Sequence, residues 1–83
     1  MKTEPEIYVI LTELFHELFA NDDIVLTAAT TANDVKGWDS FNHMNIIIAV
    51  EIRFGVRMHS SDIESLKSIG DLVTMILAKT GGQ

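Results

Sequence analysis

Asp39 and Ser40 follow Gly37-Trp38 and lead, through Phe41-Asn42-His43-Met44-Asn45, into the apolar run Ile46-Ile47-Ile48-Ala49-Val50. A serine at the first position of a helix presents its hydroxyl to solvent and to the positive end of the helix dipole. A phosphodiester joined to that hydroxyl is stabilised by the dipole and by the first free backbone N–H groups. The aspartate before it can orient the hydroxyl, or a metal ion, while a phosphate is being transferred. The same two residue types are also what a helix start needs for capping. Local chemistry alone leaves both roles open. His43 stands three residues after Ser40, on about the same helical face, so a nucleophile–base pair is conceivable. No third orienting residue or oxyanion hole is legible beside it, and hydrolysis is not expected.

The elements that must position Ser40 are helical. Ile7, Ile10, Leu11, Leu14, Phe15 and Leu18 recur at the three- and four-residue spacing of one helical face. Thr3 with Glu6 forms a capping-box pattern, and Pro5 sits in the first turn, where its missing N–H is harmless. This predicts a first helix running to about Phe19 or Ala20. A long connection, Asn21 to Asp39, follows without sustained period; loops of this length in small domains are uncommon and often functional. Ile24, Val25 and Leu26 can pin part of it to a core, and a short helical turn fits within it.

Asp39 as N-cap and Gly55 as stop predict the second helix. It is apolar around more of its circumference than one core face requires, so part of that surface suits a partner. Ser61 with Glu64 and Ser68 with Asp71 read as two further capping boxes. The first opens a short segment, and the second opens a helix that ends near Lys79 or Thr80, before Gly81-Gly82. The sum is an all-α, small four-helix bundle: three main helices, one short one, and a long loop between the first two. Residues 1–83 are read as one domain.

Composition narrows the function. Twelve Asp and Glu stand against six Lys and Arg, for a formal charge of -6. That balance repels nucleic-acid phosphates and steers the chain toward basic protein surfaces. There is no cysteine, so a disulfide framework and a thiolate metal site are both excluded. No stretch approaches a membrane span, and Met1-Lys2-Thr3-Glu4-Pro5 lacks a signal-peptide core, which points to a soluble cytosolic protein. His16, His43 and His59 are read as solvated and not as metal ligands, and Met44, Met58 and Met75 as core fillers.

Asp39-Ser40-Phe41, taken with the residues around it, resembles the modification site of acyl carrier proteins, where the usual triplet is Asp-Ser-Leu. The similarity continues through Met44, Ile46, Ile48, Ala49, Val50, Glu51 and Phe54, into Gly55-Val56-Arg57-Met58, Ser61-Asp62-Ile63 and Ser68-Ile69-Gly70-Asp71-Leu72. The resemblance implies that Ser40 carries a covalent 4'-phosphopantetheine, transferred from coenzyme A by a phosphopantetheinyl transferase with magnesium, and that Asp39 assists that modification. It implies no catalytic group and no resident metal. The protein would act as a monomeric carrier, meeting acyl-loading, acyl-modifying and acyl-transferring enzymes in short-lived encounters.

Two departures bear on docking. Phe41 replaces the usual leucine, and Asn45, Ile52 and Arg53 stand where acids are common in fatty-acid carriers. Glu51 is left as the single acid within the second helix. Docking is therefore expected to lean on Phe41, Met44, Ile47 and Ile48, of which only one of the two isoleucines faces out, together with Glu51. The shortage of acids favours a specialised lipid, polyketide or related pathway. Trp38-Asp39-Ser40 does not resemble the Gly-Gly-His-Ser type of site in peptidyl carriers. An aminoacyl carrier, for example for D-alanine, shares this layout. A non-enzymatic helical adaptor that binds a protein through its apolar second helix is the alternative from another class.

Overall fold

A computed structural model describes residues 3–80. Four α-helices follow in order: α1 (Glu4–Phe19), α2 (Ser40–Phe54), α3 (Ser60–Ser65) and α4 (Ile69–Thr80). A single 3₁₀ turn, Ala32–Asp34, interrupts the long α1–α2 connection, and among the described residues there is no strand. Gly81 and Gly82, expected to follow the end of the last helix, lie outside the described residues. None of these helices is long and apolar enough to cross a membrane.

The expected start of α1 is realised at atomic level. The Thr3 backbone N–H donates to Glu6 Oε1 at 2.8 Å, and the Glu6 N–H donates back to Thr3 Oγ1 at 3.4 Å. Ile7, Leu11, Leu14 and Phe15 are then buried completely or nearly so. They pack against Ile46, Ile47 and Val50 of α2 and against Ile69, Leu72, Val73 and Ile76 of α4 in one core. Each such side chain contributes about 1.5–3 kcal/mol by leaving water. The α3 helix has no fully buried residue; Ile63 and Leu66, beside its end, cover the core from the edge.

Two expectations about starts and loops need correction. Helix α3 is not capped by Ser61 and Glu64. Its N-cap is His59, whose backbone N–H is taken by Asp62 Oδ2 at 3.0 Å, so the box lies two residues earlier. Asp62 also faces Lys79 at 3.1 Å, and that ion pair to α4 favours the earlier start. In the long loop, Leu26 and Val35 are buried but Val25 is exposed. Main-chain bonds also hold the loop to α4. Ile69 N–H donates to Thr30 O at 2.8 Å and Gly70 N–H to Ala28 O at 3.0 Å, so the loop supplies acceptors for the first turn of α4.

Candidate functional site

Three short-range devices fix the start of α2. Gly37 adopts φ +94°, a conformation that L side chains rarely take, and turns the chain toward the helix. Asp39 then caps: its Oδ1 accepts the Asn42 N–H at 2.9 Å, while its carbonyl accepts the His43 N–H at 2.8 Å. Asn42 reaches back, donating from Nδ2 to Gly37 O at 2.7 Å, and so locks the turn to the helix. Ser40 is the first residue of α2 and is exposed. It borders an open groove of about 500 Å³, walled by Ala32, Trp38, Asp39, His43 and Met44.

Trp38 ties this start to the core. Its ring meets Phe15 of α1 edge-on at 5.3 Å between centroids. Its Nε1–H donates to His43 Nδ1 at 3.1 Å, with the two rings nearly parallel. His43 is thus not a solvated side chain, and its Nδ1 is committed to the indole. His16 is likewise structural: its Nε2 lies 2.8 Å from Ile24 O and fastens the loop behind α1. Both histidines sit where the loop turns back on a helix, a tertiary circumstance with no local sequence signal.

The residues expected to dock partners separate into two groups. Phe41 is 75%, Met44 46% and Ile48 50% exposed, and Ile52, which sequence reasoning did not include, is 76% exposed. They form an apolar stripe along α2 at spacings of three, four and four residues, beginning one residue after Ser40. That spacing was legible; the uncertainty lay in which apolar face the core would claim. Ile47 does not belong to the stripe. At 2% exposure it is part of the core against α1 and α4, because Ile46, Ile47 and Val50 share the inward face. Met44 is correspondingly no core filler, whereas Met58 is buried and Met75 packs at the core margin.

Glu51 has a structural task of its own. Its Oε2 accepts the Met58 N–H at 2.9 Å and braces the turn that follows α2. The exposed charge on this helix is completed by Arg53, which faces Glu13 of α1 at 3.6 Å. Chemically, the site offers an exposed hydroxyl on a rigid helix start, a groove to one side and an apolar strip to the other.

No protein-family model matches the chain. It is similar to the acyl carrier protein of Kineococcus radiotolerans, with 30% identity over 81 residues that cover 98% of this chain and all of the relative. The acyl carrier protein of Thermotoga maritima is 27% identical over 81 residues, again spanning 98% of this chain and 100% of its own. Among solved structures, the solution structure of a holo acyl carrier protein from Geobacter metallireducens superposes with a TM-score of 0.82. That match has 38% identity and covers 87% of this chain and 83% of the other.

Proposed function

The chain belongs to the acyl carrier protein family, and we propose that it bears its cargo on a 4'-phosphopantetheine arm joined to Ser40 Oγ. It is a non-enzymatic carrier: acyl groups ride on it and partner enzymes do the chemistry. The observation that carries the assignment of Ser40 is its exposure as first residue of α2, behind an aspartate whose side chain caps the same turn.

The residues fit such a group. A phosphodiester on Ser40 Oγ would lie at the positive end of the fifteen-residue α2, near backbone N–H groups of its first turn. The groove beside Ser40 has polar and apolar walls, suited to an arm that carries amides and methyl groups. When bound, the arm supplies a terminal thiol on a flexible tether, which raises the cargo's effective concentration at each enzyme visited. The protein's own residues supply position. Gly37, Asp39 and Asn42 hold the helix start rigid, and Asp39 presents a carboxylate beside the hydroxyl during modification.

Docking follows from the stripe Phe41, Met44, Ile48 and Ile52. Glu51 and Arg53 are the charged residues within α2, and Glu51 already braces the following turn. Partner enzymes, the phosphopantetheinyl transferase among them, would therefore meet this helix through apolar contact more than through paired charge. The net charge of -6 still steers basic surfaces toward the molecule. Residues 1–83 acting as a single monomeric domain, in the cytoplasm where coenzyme A is found, belong to the same reading. The sparse acids on α2 favour a specialised pathway over general fatty-acid synthesis.

The test is an intact-mass measurement after incubation of unmodified protein with coenzyme A, magnesium and a broad-specificity phosphopantetheinyl transferase. One phosphopantetheinyl increment is expected on the wild type and none on Ser40→Ala. A folded wild type that takes no increment from several transferases would overturn the assignment and leave the helical adaptor.

A further inference from the structure

Trp38 and His43 line two spaces at once. One is the open groove that borders Ser40; the other is a narrow, partly open cavity of about 50 Å³, lined further by Ile46, Ile47, Leu66, Lys67, Ser68 and Leu72. The two rings are therefore part of the partition between Ser40 and the interior. A largely apolar space this small has room only for a small group, such as the end of an aliphatic chain. A group that passes from the groove into the cavity meets this pair.

The partition is held shut by the 3.1 Å bond from Trp38 Nε1–H to His43 Nδ1. Indole is a donor only, so His43 must accept, which requires a neutral imidazole with its proton on Nε2. A second proton would place an N–H on Nδ1, pointing at the indole N–H. The bond is then lost and two donors abut. An imidazolium still attracts the indole face, so the expected response is a slide of one ring along the other while Trp38 stays against Phe15.

We propose that the Trp38–His43 hydrogen bond is a proton-operated gate between the groove at Ser40 and the internal cavity, closed while His43 is neutral and opened when it is protonated. As a control on aliphatic cargo, the gate rests on the reading of Ser40 as the attachment point. Two charged groups border it. Asp39, the N-cap of α2, borders the groove, and Lys67 lines the cavity from the α3–α4 link. The 3₁₀ turn contributes Ala32 to the lining of both spaces, and α1 meets Trp38 through Phe15.

The experiment uses Ser40→Ala protein with free n-hexanol as probe, so that no outcome depends on modification of Ser40. Methyl NMR of Ile46, Ile47, Leu66 and Leu72 reads entry at about pH 8 and about pH 5.5, the interval in which imidazoles change charge. Trp38 is the sole tryptophan of the chain, so its indole N–H resonance and fluorescence read the gate itself. Hexanol-induced shifts are expected to be severalfold larger at the lower pH, in step with the indole signal. In His43→Gln, whose side-chain oxygen can accept the indole N–H but does not titrate, uptake stays low at both values. In His43→Leu it is high at both. The proposal is overturned if His43→Gln follows the parent's pH dependence, or if the parent's indole resonance does not move between the two values.

Discussion

Gly70 at the start of α4 lies directly against Ala28 of the long loop: its N–H donates to Ala28 O at 3.0 Å, and a Cβ built on Gly70 would stand 2.9 Å from that same oxygen. The bond and the closeness are one fact, since only a residue without a side chain lets the two backbones meet there. The consequence reaches Ser40, because this contact anchors the loop whose far end carries Gly37, Trp38 and Asp39.

Gly70→Ala is expected to push the loop off α4 and to cost about 1–3 kcal/mol, the usual penalty of overpacking. Urea unfolding measures the loss. A variant as stable as the parent would mean that the loop yields without cost and does not brace the site.

Neighbouring isoleucines on α2 should behave oppositely. Ile47→Ala removes a fully buried side chain and is expected to cost about 2–5 kcal/mol. Ile48→Ala, on the exposed stripe, should stay within about 0.5 kcal/mol. It should instead slow acyl transfer to or from a partner enzyme. Equal stability losses in the two variants, read by denaturant unfolding, would contradict the division of α2 into a core face and a docking face.

The Asp39 carboxylate caps α2, so Asp39→Ala is expected to cost about 0.5–2 kcal/mol of stability. It should also slow modification of Ser40, which time-resolved mass spectrometry would record. Asp39→Asn keeps a capping oxygen and should restore stability. If it restores the modification rate as well, the charge of Asp39 has no part in the transfer.

Asp62 is held below the ordinary carboxylate range, first by the His59 backbone N–H it accepts and then by Lys79. A depressed value in the folded state means that the proton binds the unfolded chain more readily. Its contribution to stability is then present above the unfolded carboxylate value, about 3.9, and is lost as pH falls through the lower folded value. Comparing the acid limb of the stability profile in the parent and in Asp62→Asn tests this. The variant is expected to show a shallower fall, and identical profiles would exclude the linkage.

Much of the site was legible in the chain because it is local. The cap at Asp39, the stop at Gly55 and the box from Thr3 to Glu6 are contacts between residues three or four apart, or backbone conformations that a single glycine permits. The exposure of Ser40 follows from its place at the first turn after a loop. The start of α3 was misread because its serines and acids allow two capping registers, and the choice was made by Lys79, seventeen residues beyond Asp62 in the chain.

What the sequence determined alone is the all-α bundle, the position of Ser40 at the head of α2 and the apolar excess of that helix, all products of short-range periodicity and capping. Tertiary structure decided which isoleucine α1 and α4 would bury, and that Glu51 would brace Met58. It also decided that Trp38 and His43 would meet between a groove and a cavity. Those outcomes depend on how helices pack and where a twenty-residue loop returns, and packing chooses among faces that the residue pattern leaves equally apolar.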